Sequence, residues 1–214
     1  MYSSILTFWF DETSPAQWWK VDPGFDQLIR SRFSEVHAMA SRCECYGWRR
    51  EPKGRLAEII VLDQFSRNMH RGTPLAFACD PLALALSQEA VALDVGRLLS
   101  PDELAFLYMP YMHSESGAIH EVALQLFKAA GLQANIEFEL RHKSIIDRFG
   151  RYPHRNATLG RSSTDEELAF LAQPGSSFLE LADERNVKMG PFCRWTVADA
   201  SIFQKVLPWI SIVR

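Results

Sequence analysis

Apolar residues recur at three- and four-residue spacing along most of the chain, while no hairpin dipeptide sits between alternating runs and no strand–helix–strand spacing occurs. Phe25, Leu28, Ile29, Phe33, Val36 and Ala40 form one such series. Asp22-Pro23 opens it with a capping side chain and a ring suited to a first helical turn, and the series predicts a helix ending near Cys43. A second series, Leu56 and Ile59 to Leu62, stays apolar on more than one face through Phe65, with stop signals only at Gly72 and Pro74; it predicts a central helix. Asp80-Pro81 starts an alanine- and leucine-rich helix to about Leu93, which Gly96 ends. Ser100 and Glu103 have capping-box spacing and open a helix closed by Pro110. Helical pattern resumes over 117–130 and 134–149, separated by Gly131, and a short helix starts at Ser163 to Glu167 and ends near Ala172.

Helices of this length joined by short turns predict an all-α fold of antiparallel helix pairs, either a bundle or a short solenoid. No 34-residue repeat is present. From Gln173-Pro174-Gly175-Ser176-Ser177 onward the composition changes, so residues 1–175 are assigned to the helical domain and 176–214 to a C-terminal extension of unknown role. A weak helix is expected there over Val197 to Leu207.

A chain of 214 residues can bury roughly 70% of its unfolded surface, and 47% hydrophobic with 23% charged residues are ordinary globular values. The formal charge of −3 argues against a nucleic-acid partner. Met1 to Phe10 is apolar but too short for a span and lacks a basic leader, and no other run is judged to reach membrane length. Cys43, Cys45, Cys79 and Cys193 lack metal-finger spacing, which points to reduced thiols and a cytoplasmic location. Neither the phosphate-cradling nor the dinucleotide-binding glycine motif occurs, so no cofactor is expected.

Basic charge is concentrated locally. Residues 141–161 hold Arg141, Lys143, Arg148, Arg151, Arg155 and Arg161 against Asp147 alone, whereas 165–184 hold six acids with neither Lys nor Arg. From Arg148 to Arg161, four arginines, His154 and Asn156 share a turn-rich segment without a carboxylate, where guanidinium forks could converge on an anionic ligand. The competing reading is that these arginines tie a loop to carboxylates of neighbouring helices. In the central helix, Asp63 and Arg67 lie four apart, as do Gln64 and Asn68, with His70 and Arg71 following. Polar side chains in so apolar a helix require partners from elsewhere, and a buried cluster is expected. His113-Ser114-Glu115 offers a base, a hydroxyl and a carboxylate, although neighbours in sequence rarely face each other, and Ser114 is expected to cap the helix that follows. Metal binding by His113, Glu115 and His120 is disfavoured, because Ser116-Gly117 breaks the helix that would align them. His37, Trp18 and Trp19 read as packing residues.

Phe8-Trp9-Phe10, Leu62 to Asn68 with Arg71-Gly72, Met109 to Glu115, and Arg148 to Gly160, in that order, together resemble the DUF924 family over roughly residues 5–172. The resemblance implies a tetratricopeptide-like, right-handed all-helical fold and supplies no catalytic residues, because the family has no assigned activity. Two positions depart from the family pattern: Ser66 stands where Pro is usual, and Ile119-His120 where Asp-Gln is common. If that acidic position serves a reaction, this chain lacks it.

Two functions follow as expectations. One is a pocket for a small anionic ligand bound by Asp63, Gln64, Arg67, Asn68, Arg71, Arg148, Arg151, Arg155, Asn156 and Arg161. His113 or His154 would act there as base and Glu115 would orient it, in a hydrolase- or transferase-type reaction. The other is a scaffold that binds a peptide, in which the polar motifs only lock helices together.

Overall fold

In the computed structural model, which describes residues 2–174 and 176, the Asp22 carboxylate accepts from the N–H groups of Gly24 (2.9 Å) and Phe25 (3.1 Å) and starts α2 (Pro23–Ser41). Ser100 and Glu103 form the reciprocal box at the head of α6 (Pro101–Met112). Among the described residues every regular element is helical, so the fold is all-α. The remaining elements are α1 (Tyr2–Leu6), α3 (Pro52–Ile60), α4 (Ser66–Met69), α5 (Asp80–Ala92), α7 (Gly117–Ala129), α8 (Gln133–Phe149) and α9 (Asp165–Leu171). The expected helix over Val197 to Leu207 lies outside the described residues.

Short reversals make the neighbouring pairs antiparallel. Gly131, at φ 66°, turns α7 back along α8 in a left-handed conformation that a β-carbon would disfavour. Helices α5 and α6, α6 and α7, and α7 and α8 pack in sequence, and α3 lies against α1, α5 and α6 at the centre. The core is aromatic around Trp9, whose ring meets Phe65 and Phe106 edge-on at 5.6 and 5.5 Å between centroids.

Two stretches widen into π-helix, Thr7–Glu12 after α1 and Val61–Phe65 between α3 and α4. Side chains bond to carbonyls within both stretches. Thr13 Oγ1 donates to the carbonyl of Phe8 at 2.8 Å and Trp18 Nε1 to that of Trp9 at 2.9 Å. Ser66 Oγ donates to the carbonyl of Leu62 at 2.6 Å, and Arg67 to that of Asp63 at 2.9 Å. Such π turns are uncommon and often mark functional sites.

Three expectations are corrected. Pro110 lies inside α6, which runs on to Met112, because proline costs one backbone hydrogen bond and this end of the helix is buried on nearly every side. Ser114 does not cap α7; the flanking residue is Ser116, whose side chain makes no cap bond. By length and composition the run Pro74–Ala92 is apolar enough to cross a membrane. Regular α-helix nevertheless begins only at Asp80, whose carboxylate is engaged by arginines.

A β-carbon at Gly54 would run into the backbone of Trp48, since α3 lies against the 3-10 turn Tyr46–Arg50. Gly54→Ala is therefore expected to destabilise the protein by about 1–3 kcal/mol. An unchanged denaturation midpoint would contradict that close approach.

Candidate functional site

The π turn carries Asp63 into the interior, where it is 1% exposed. An ionised carboxylate so placed needs donors from every direction. Arg67 approaches its Oδ1 at 3.1 Å from one turn on, Gln64 donates to its Oδ2, and Nδ1 of His113 lies 2.7 Å from Oδ1. Burial works to raise the Asp63 pKa, but the Arg67 charge and the His113 bond outweigh it and hold the group at about 2. An ionised Asp63 can only accept, so the proton of this bond sits on His113 Nδ1. Burial, reinforced by Arg67, lowers the His113 pKa, and the ring is neutral at pH 7 with its lone pair on Nε2.

Arg67 also forms a fork with Asp80, at 2.9 and 3.0 Å, where α5 begins. Asp80 reaches a second arginine, Arg155, at 3.4 Å. The Arg155 guanidinium is held between the rings of Phe77 and Tyr152, 4.6 and 4.5 Å from their centroids, and donates to the carbonyl of His113 at 3.1 Å. Its Nε has no hydrogen-bond partner among the described residues. Burial and the nearby Arg67 charge lower its pKa. Two cations and two carboxylates thus surround a neutral His113, and Arg155 is the least compensated of the four.

The rest of the arginine-rich segment is disposed differently. Arg151 forms a fork with Glu167 at 2.7 and 2.8 Å, Arg161 with Glu115 at 2.6 and 2.9 Å, and Arg148 pairs with Glu166 at an exposed site. Asn156 bonds to Ser163, Glu167 and Arg161. These contacts place Arg148, Arg151 and Arg161 on carboxylates of α9 and of the α6–α7 turn, so they do not converge with Arg155 on one ligand. Glu115 also accepts from the N–H of Tyr152 at 2.8 Å. The group that orients His113 is therefore Asp63 rather than Glu115. His154 is half-buried with its ring 5.4 Å from that of Tyr152, and burial together with Arg155 brings its pKa down to about 4.

Asn68 and Arg71 lie apart from His113. Both bind Asp26 of α2, at 2.8 Å for Asn68 and 2.6 and 2.9 Å for Arg71. His37 bonds to Ser66 Oγ at 2.7 Å; because that hydroxyl donates to Leu62, it accepts here, and Ser66 is not activated as a nucleophile. Sequence reasoning missed Asp26, Asp80, Phe77, Tyr152 and Glu139, and weighed His120 only as a metal ligand and a departure from the family pattern. Asp80 was visible only as a helix start, and Asp26 and Glu139 carried no local signal. No group of three or more His, Cys, Asp or Glu among the described residues is placed to hold a metal ion. Clefts of about 270 and 230 Å³ lie along α1, the first against α2, and no residue of this cluster lines either.

Residues 5–175 match a family described as "Bacterial protein of unknown function (DUF924)". A solved protein of unknown function from Agrobacterium tumefaciens is 36% identical and superimposes with a TM-score of 0.76, over 80% of this chain and 96% of that one. No curated protein matches the chain.

Two measurements check this arrangement. Asp63→Ala leaves Arg67 and His113 without their buried partner and is expected to cost about 3–5 kcal/mol, against less than about 1 for an exposed pair. An unmoved denaturation midpoint would show the pair to be solvated. Stability should also fall on acidification. His113, His142 and His154 are held below the ordinary histidine value, burial being the largest cause in each. The unfolded chain therefore binds more protons between roughly pH 6.5 and 4, and stability is lost as pH falls through that window. Glu139, which burial raises, offsets part of this, and Asp63 adds a further loss between its ordinary 3.8 and about 2. A midpoint that is flat or rises between about pH 7 and pH 5 would contradict the buried neutral histidines.

Proposed function

The chain belongs to the DUF924 family, and from its geometry we propose that the cluster around His113 is an acid–base site for a small anionic molecule. The observation that carries this reading is the 2.7 Å contact of His113 Nδ1 with the buried Asp63, which fixes the tautomer and leaves Nε2 as a base. Arg155 is the ligand's partner. Its guanidinium is stacked between two rings, is balanced by Asp80 only at 3.4 Å, and donates to the carbonyl of the same residue that carries the base. An anion bound to that fork would lie close to His113, in an arrangement suited to hydrolysis or group transfer.

A second reading has its own observation. Arg71, Arg151 and Arg161 each form a fork with a carboxylate, as expected if these motifs only lock the helices of a tetratricopeptide-like scaffold that binds peptides.

Equilibrium unfolding with a panel of phosphates, carboxylates and nucleotides separates the two. A ligand at 100 times its Kd should add about 2.7 kcal/mol to the wild type and nothing to Arg155→Ala or His113→Gln. If no member of the panel shifts the wild type, and if replacing Arg151 and Arg155 together by Ala destabilises the protein without ligand by several kcal/mol, the scaffold reading stands instead.

A further inference from the structure

Bonded to the turn that carries His113 is a second pair of titratable groups, distinct from the residues assigned to hold a ligand. His120 of α7 and Glu139 of α8 are fully enclosed, with Nδ1 and Oε1 2.6 Å apart. Proton positions follow from counting donors. His120 Nε2 lies 2.9 Å from the carbonyl of Ser114, which can only accept, so Nε2 carries a proton. The Tyr152 hydroxyl, 3.2 Å away, donates to the carbonyl of Met112 at 2.7 Å, and its oxygen accepts from that same N–H. One proton remains between Nδ1 and Oε1. On Nδ1 it makes an imidazolium and a carboxylate; on Oε1 it makes a neutral ring and a carboxylic acid.

Glu139 Oε2 decides between them. It is buried and has no hydrogen-bond partner among the described residues. Half of a carboxylate charge left bare in the interior costs far more than a bare carbonyl oxygen. The nearby Lys143 favours the ionised form through space but makes no bond to Oε2, because its ammonium is drawn to Glu121 and Asp147 at 2.9 and 2.7 Å, and burial outweighs it. Tyr152, His142 and Glu121 also face the pair; His142 is held well below its ordinary pKa by burial, and the Glu121 charge disfavours a second carboxylate. Burial moves Glu139 itself upward.

We propose that Glu139 is a protonated carboxylic acid at neutral pH that donates to His120 and is a positioning residue for the His113 site. With Nδ1 occupied as an acceptor, His120 must keep its proton on Nε2. It then holds the carbonyl of Ser114, between His113 and Glu115, while Tyr152 holds that of Met112 on the other side. The His113 ring is aimed at Asp63 by a backbone clamped on both sides. That consequence rests on the reading of His113 as the base of the site; the protonation of Glu139 does not.

The test uses the full chain near pH 7. In infrared difference spectra, wild type minus Glu139→Gln, the C=O stretch of a protonated carboxyl group is expected. A difference containing only carboxylate bands would overturn the protonation. In NMR spectra, the Nδ1–H proton of His113 should keep its position in Glu139→Gln, whose amide N–H donates to His120 as the acid does. In Glu139→Met, of similar length but with no donor, that signal should shift or be lost. An unchanged His113 signal in Glu139→Met overturns the positioning role, and the infrared result stands even if that variant fails to fold. Neither measurement uses a ligand, so a failed ligand panel and a failed clamp are distinguishable.

Discussion

A carboxylate that is 1% exposed cannot remain charged unless cations and donors are brought to it, and Asp63 sets that demand at the centre of this fold. Its own helix supplies Arg67 and Gln64, and the end of α6 supplies His113. Arg67 is then shared with Asp80 at the start of α5, and Asp80 in turn reaches Arg155 in the loop after α8. One buried charge thus links the central helix, the end of α6, the start of α5 and the loop after α8.

The arginine-rich loop is anchored by the same logic at lower burial. Along the chain, Arg148 to Arg161 has no acid within it, yet in space each of Arg148, Arg151 and Arg161 meets a carboxylate. The acidic stretch that follows supplies Glu166 and Glu167, and the α6–α7 turn supplies Glu115. Local charge density therefore overstated the loop as an anion trap. Arg155 differs: it is stacked between two rings, meets Asp80 at 3.4 Å, and its Nε has no hydrogen-bond partner among the described residues.

His113 is neutral because burial and Arg67 outweigh the opposing pull of Asp63, whereas its tautomer is set by Asp63, and the flanking carbonyls of Met112 and Ser114 accept from Tyr152 and His120. The Agrobacterium tumefaciens structure shares the fold at 36% identity, but fold does not carry function, so the argument about activity rests on these side chains.

The sequence by itself determined the all-α class, the capped starts at Asp22 and Ser100, and the burial of the Asp63–Arg67 pair. Caps and 3.6-residue periodicity express contacts within one or two turns, which neighbouring residues are sufficient to specify. The tertiary structure alone decided that α6 continues past Pro110, that the central helix widens around Asp63, and that Asp63 rather than Glu115 orients His113. It also decided which carboxylate each arginine takes, across separations of 46 residues for Arg161 and Glu115 and 75 for Arg155 and Asp80. Carboxylates are chemically interchangeable to a guanidinium, so the choice among them is made by packing, which no local pattern encodes.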